Sequence, residues 1–267
     1  MAIFNNIIKS DGNSLVRKPT STFAGVVGFP LTYAVLPYSQ INNLVGWFNN
    51  GDGVTLATGV SAWVDRISGV SLAQATGALQ PTYTQQVNTL NGKNKIAFAT
   101  TQLLSAGDVF DIRTNTGYTA QIYCKLSAIT TNRMLIGKGG TSAIPLSVAG
   151  EYRISHNGTN IVAQFFDTSL KTTGGSFAFD ANNFYLYTIV VDITNSLLSL
   201  FVNEKAVGTV AISNAVVDYN NGTAFCIGSA NSNLTFDALE CLVYQTALTQ
   251  SEVAQNSIAM RGKYGQK

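Results

Sequence analysis

The chain has 267 residues, 16 Lys and Arg against 14 Asp and Glu, a formal net charge of +2, and 11% charged residues. The basic residues are scattered, without a run and without interleaved aromatics, so no nucleic-acid footprint is present. No stretch reaches the ~18 uninterrupted apolar residues needed to cross a bilayer, which excludes membrane insertion by a helix.

This length accommodates one large all-β domain, or one domain with an attached segment. Residues 1–40 hold three of the five prolines and show no clear hairpin. The opening MAIFNNIIKSDG carries Asp11 and lacks a basic-then-apolar order, so no signal peptide is expected. The apolar run at 23–38 is broken by Pro30 and Pro37, which cannot donate a helix hydrogen bond. Phe4, Ile7, Ile8, Phe23 and Phe29 are costly to leave in water. They either cover the domain or dock on another chain; the proline-rich extended character favours an attachment arm.

From residue 41 the sequence reads as short strands. In FNNGDG, Asn49, Asn50 and Asp52 offer oxygens in one loop, with Asp65 in reach by position. Ca²⁺ takes such ligands, but the string is also a good turn, and that reading is preferred. No metal or other cofactor is expected. In SAWVDRISGV, Trp63 buries a large ring whose indole N–H needs a partner. Asp65 is placed to accept amides of its own turn, and Pro81 and Tyr83 suit an edge strand.

Asn91-Gly92, Asn157-Gly158 and Asn221-Gly222 supply the positive φ of two-residue hairpins, and Gly139-Gly140 and Gly174-Gly175 mark further reversals. The sequons at Asn157, Asn221 and Asn233 read as turn chemistry rather than glycan acceptors. Alternation in YTAQIYCKL (118–126) puts Cys124 beside Ala120 and Ile122 on a core face. Gln121, Tyr123 and Lys125 then share the opposite, solvated face. Cys124, Cys226 and Cys241 form no CxxC or Cys/His pattern, so zinc is not implied. KGGTSA (138–143) lacks a P-loop ending and reads as a loop.

The single His, His156, precedes Asn157-Gly158 and is expected at an exposed hairpin end, with Arg153 flanking. Without a second His or a Gly-x-Ser-x-Gly elbow, a Ser-His-Asp triad has no basis. The continuous apolar run FYLYTIVV (184–191) predicts a strand buried on both faces. Asp237 and Glu240 are the nearest approach to a carboxylate pair, but a spacing of three puts them on opposite faces of a regular strand. TQSEVAQNSIAMRGKYG (249–265) opens with the capping box Thr249-x-x-Glu252 and predicts a helix ended by Gly262 or Gly265, packed on the sandwich edge. Val253, Ser257/Ile258 and Arg261 mark its spacing.

Many short strands, Gly and Asn turns and one terminal helix predict an all-β, two-sheet antiparallel sandwich. Four blocks in order, LVGWFNNGDGVTLATGVSAWVDRISG (44–69), QPTYTQQVNTLNGKNKIAFATTQLLSAG (80–107), NFYLYTIVVDITNSLLSLFVNEKAVGTV (183–210) and LECLVYQTALTQSEVAQNSIAMRGKYG (239–265), resemble concanavalin A-like, or laminin-G-like, jelly-roll domains. Such domains occur in bacteriophage virion proteins and bacterial surface proteins. The resemblance covers residues 41–267 and departs at Asn203-Glu204, where Asn-Gly is usual. It implies that Glu240 stands at a structural acidic position. The glucan-cleaving relatives carry an alternating acidic strand that is absent here, and two carboxyls at about 5–5.5 Å are what retaining hydrolysis requires.

The resulting expectation is a non-enzymatic bacteriophage structural protein, a fibre, spike or capsid-attached component localised to the virion. Residues 1–40 would join other virion proteins, the assembly would be a homotrimer, and host surface glycans would bind Gln121, Tyr123, Lys125, Arg153 and His156. The alternatives are a secreted or surface carbohydrate-binding module, which predicts a removable leader, and a glucanase-type hydrolase, which predicts paired carboxylates.

Overall fold

The computed structural model describes residues 8–10, 14–16, 41–112, 117–128, 133–139, 146–156, 160–177, 180–213, 221–229 and 234–266. The strands begin with β1 (Ile8–Ser10), β2 (Ser14–Val16), β3 (Leu44–Asn49), β4 (Val54–Leu56), β5 (Val60–Val64), β6 (Ser71–Ala73) and β7 (Thr82–Val87). Next come β8 (Lys93–Phe98), β9 (Leu103–Ser105), β10 (Tyr118–Ala128), β11 (Arg133–Lys138), β12 (Tyr152–His156) and β13 (Asn160–Phe166). The last are β14 (Leu170–Ser176), β15 (Tyr185–Asp192), β16 (Leu197–Val202), β17 (Lys205–Ala211), β18 (Phe225–Gly228) and β19 (Thr235–Tyr244), then helix α1 (Gln250–Tyr264).

Two antiparallel sheets form the sandwich. One runs β17-β16-β15-β10-β19-β8-β7, with β3 paired to the second half of β19; the other runs β14-β13-β12-β11-β18-β9-β6-β5-β4. Alternation in β10 sends Ala120, Ile122 and Cys124 into the core between the sheets, where they meet Ile154, Phe165, Tyr187 and Phe225. All three cysteines are buried free thiols, and burial pushes that of Cys226 up to about 12.

The run at 184–191 is buried on both sides, and the reason is α1. Tyr187, Ile189 and Val191 face the inner core, while Leu186 and Val190 join a second cluster with Val253, Met260 and Tyr264 of the helix. The capping box is formed, with Glu252 N–H donating to Thr249 Oγ1 and Thr249 N–H donating to Glu252 Oε2. Gly265, at φ 65°, ends the helix.

Several expectations need correction. The helix lies across the outer face of the eight-stranded sheet, not on the sandwich edge. Its buried residues are Val253, Asn256, Ser257, Met260 and Tyr264, whereas Ile258 is 47% exposed. Residues 8–10 and 14–16 pair as antiparallel strands inside the segment read as lacking a clear hairpin. Gly174-Gly175 is not a reversal but lies within β14, near its end. A Cβ on Gly175 would stand 2.8 Å from Val207 O, and one on Gly208 2.7 Å from Gly174 N. These glycines let the edges β14 and β17 close the sandwich. Asn91 and Gly92 do take positive φ, 51° and 69°, but end a connection that begins with a 3-10 turn at Asn88–Leu90. Asn157-Gly158, Gly140 and the sequon Asn233 lie outside the described residues.

The Asn203-Glu204 departure has a structural use. Asn203 adopts φ 53° and its Oδ1 accepts from Leu186 N–H. Glu204 Oε2 accepts from Ser257 Oγ and Arg261, both at 3.2 Å, which pins α1 over the sheet.

Candidate functional site

The glycan-face residues expected from alternation are not brought together. Gln121 is fully buried, donating to Thr188 Oγ1 at 3.0 Å and accepting from Asn256 Nδ2 at 2.7 Å. Tyr123 is fully buried between Phe184 and Tyr264, and burial raises its phenol well above the ordinary range. Their face is the outer one, as alternation says, but α1 covers it. Lys125 is half-buried, 3.6 Å from Asp237 Oδ2 and over the Phe184 ring. Arg153 belongs to the other sheet, buried, with Nε donating to Gln164 Oε1 at 2.6 Å. His156 is 3% exposed, against the expectation of an open hairpin end. Its position in β12 has the inward parity of Tyr152 and Ile154. Burial lowers its imidazole to about 4.

The carboxylate pair of β19 also departs from expectation. Tyr123 pairs with Glu240 and Cys124 with Ala238, so Leu239 is an extra residue, a β-bulge. Leu239 and Leu242 lie on the outer side and Ala238 and Cys241 on the inner. The bulge thereby returns Glu240 to the outer side, the one Asp237 occupies. Each acid is spent separately: Asp237 pairs with Lys95 at 2.9 Å and Lys125 at 3.6 Å. Glu240 pairs with Lys263 and accepts from Tyr264 OH at 3.0 Å.

The stretch around Trp63 has the structural role read from it. Trp63 is fully buried, and Nε1 donates to Asn49 O at 3.1 Å. Asp65 accepts from the amides of Ile67, Ser68 and Val70 and from Ser68 Oγ, all at 2.7–2.9 Å. The FNNGDG oxygens are likewise engaged. Asn49 Oδ1 accepts from Gly51, Asn50 Oδ1 from Tyr264 OH, and Asp52 pairs with Arg66 at 3.0 Å.

A cleft of about 300 Å³ opens at one end of the sandwich. Val45 from β3, Val70 from the β5–β6 turn, and Val109 and Phe110 give it apolar walls. Ser68, Asp108, Asp111 and Gln245 supply the polar ones. This size lies at the lower end of small-molecule sites.

Beneath it, Lys138 at the end of β11 is fully buried. Its ammonium donates to Asp108 Oδ1, to Asp111 Oδ1 and, at 3.1 Å, to Val109 O. An ammonium has three protons, and three oxygens take them. Phe110, between the acids, has φ 56°, a rare conformation for a bulky residue. Its ring is turned into the core, edge-on to Phe225 at 5.0 Å and Phe48 at 6.1 Å. Gly46 makes room: a Cβ there would stand 2.8 Å from the Phe110 ring. Gln245 Nε2 donates to Asp111 O at 2.6 Å and Tyr152 OH to Phe110 O at 3.4 Å. Core contacts and hydrogen bonds thus hold the 108–111 segment in place.

Sequence reasoning missed this site. Its signals were a lysine closing the apolar strand MLIGK, which burial permits only with an anionic partner, and the spacing Asp108-x-x-Asp111.

A family model for the concanavalin A-like lectin/glucanases superfamily matches residues 90–254. No curated protein matches the chain. Among solved structures, the binding domain of Paraclostridial Mosquitocidal Protein 1 is similar at 15% identity and TM-score 0.58, covering 80% of this chain and 52% of that one. The receptor binding domain of botulinum neurotoxin D aligns at 12% identity and TM-score 0.54, over 83% and 53%. The binding domain of botulinum neurotoxin DC in complex with SialylT aligns at 8% and 0.52, over 82% and 52%. The chain therefore spans about half the length of these neighbours, and the similarity is one of fold.

Proposed function

The chain belongs to the concanavalin A-like lectin/glucanases superfamily, and from that premise we propose that it is a non-enzymatic binding domain that takes a sugar in the rim cleft. The supporting observation is the cleft itself, with apolar walls beside fixed carboxylate acceptors, the combination that packs a pyranose face and bonds its hydroxyls. Three fold neighbours, named as binding domains or a receptor binding domain, favour this reading over hydrolysis. Asp108 and Asp111 both serve one structural cation, so neither is placed as a proton donor to a leaving group.

The setting that fits best is a bacteriophage virion, with the sandwich displayed outward and residues 1–40 attaching it as a homotrimer. The low charge content and the proline-rich character of residues 1–40 support this setting. Glycan binding by the full chain, with the bound oligosaccharide recovered intact, is the direct test. Asp108→Ala should remove binding; unchanged binding would move the site elsewhere, and cleaved oligosaccharide would favour the glucanase reading. A monomeric, folded 41–267 fragment beside an oligomeric full chain would support the attachment role.

A further inference from the structure

We infer that the rim cleft selects uncharged or amine-bearing sugars and rejects sugar acids. This rests on the cleft being the sugar site, and it follows from what hydrogen-bonding capacity remains there. The donors near the cleft are turned inward. Lys138 spends three protons on Asp108, Val109 O and Asp111. The Ser68 hydroxyl donates to Asp65, and Gln245 turns one of its two amide N–H groups to Asp111 O. What remains is acceptor capacity. Each of Asp108 and Asp111 gives one oxygen to Lys138, and the other oxygen of each has no hydrogen-bond partner among the described residues.

Charge points the same way. Lys138 is fully buried, Asp111 is 7% exposed, and the Asp108 side chain is 32% exposed. Two carboxylates against one buried ammonium leave a net negative cleft, with the negative charge nearer solvent. Among the described residues, the other charged groups nearby do not offset this. Asp65 is buried and saturated by its own turn, and Arg66 is held by Asp52 and lies over the Trp47 ring.

A ligand must therefore bring donors. Hydroxyls of a neutral sugar, or the ammonium of a hexosamine, meet carboxylate acceptors and gain charge-assisted hydrogen bonds. A sialic or uronic acid brings a carboxylate against carboxylates and finds no cationic donor among the described cleft residues to receive it, which gives specificity through repulsion. This separates the chain from a neighbour named with SialylT.

The test is a glycan array carrying neutral hexoses, N-acetylhexosamines, glucosamine oligomers, sialosides and uronates, probed with the full chain and with Asp108→Asn. Titration calorimetry follows on the best neutral ligand and on its sialylated or uronate counterpart. The expected result is neutral or amine glycans bound at least tenfold more tightly than acids. Asp108→Asn should weaken the neutral ligand about tenfold and narrow the preference over acids to about threefold. Acids bound as well as neutral sugars, with loss of both in Asp108→Asn, would overturn the selectivity while leaving the sugar site standing. Binding that Asp108→Asn leaves unaltered would refute the cleft assignment and the selectivity with it. No binding to any glycan would overturn the proposed function, and this inference with it.

Discussion

Replacing Lys138 by methionine tests the construction of the cleft at its base. Methionine fills much of the lysine's volume without an ammonium, so the variant leaves Asp108, Asp111 and the Val109 carbonyl without their shared donor. Removing one partner of a buried ion pair costs about 3–5 kcal/mol, because the remaining charge is stranded. Asp108 reaches solvent and can recover hydration; Asp111, at 7% exposure, cannot. The lower half of that range, about 3–4 kcal/mol, is therefore expected. For a domain of this size each kcal/mol moves Tm by about 2–4 °C, so thermal denaturation near neutral pH should fall by about 10 °C. The double variant K138M/D111N should recover more than half of the loss, since stranded charge and not lost packing is the cause. A loss under about 1 kcal/mol, or no recovery in the double variant, would refute the reasoning.

Other outcomes follow from particular residues. Thr249→Ala removes the helix cap and should cost about 1 kcal/mol by urea unfolding, with faster amide exchange concentrated in α1. Among the described residues, the buried Tyr123 OH, Glu240 Oε2 and Asn256 Oδ1 have no hydrogen-bond partner under the helix. His156 binds a proton in the unfolded chain below about pH 6.5, but in the fold only near 4. Its contribution to stability is thus lost as pH falls from 6.5 to 4, by at most about 3 kcal/mol. His156→Phe should flatten that part of a stability–pH curve, and an unchanged slope would refute the assignment. Gly208→Ala puts a Cβ 2.6 Å from Thr173 Oγ1 and 2.7 Å from Gly174 N, and should destabilise by about 2 kcal/mol in a chemical denaturation curve.

The sandwich was readable because its signals are local. Alternation in 118–126 assigns the inner residues correctly, and Thr249-x-x-Glu252 marks the helix start. What failed depends on which distant element covers a face. Gln121 and Tyr123 point outward as alternation requires, yet two of the five buried helix residues that cover them, Asn256 and Ser257, are polar and conceal the amphipathic pattern. The bulge at Leu239 inverted the reading of Asp237 and Glu240, because one inserted residue shifts every later side chain to the other face. Lys138, Asp108 and Asp111 meet across about 30 positions, a juxtaposition no short-range pattern encodes.

The glycine contacts between β14 and β17 bear on how copies of this chain can associate. A strand arriving from a second molecule would have to pry the two borders apart before finding backbone to pair with, since Gly174 and Gly208 already sit against each other. Growth into fibres by lateral strand addition is blocked on that flank.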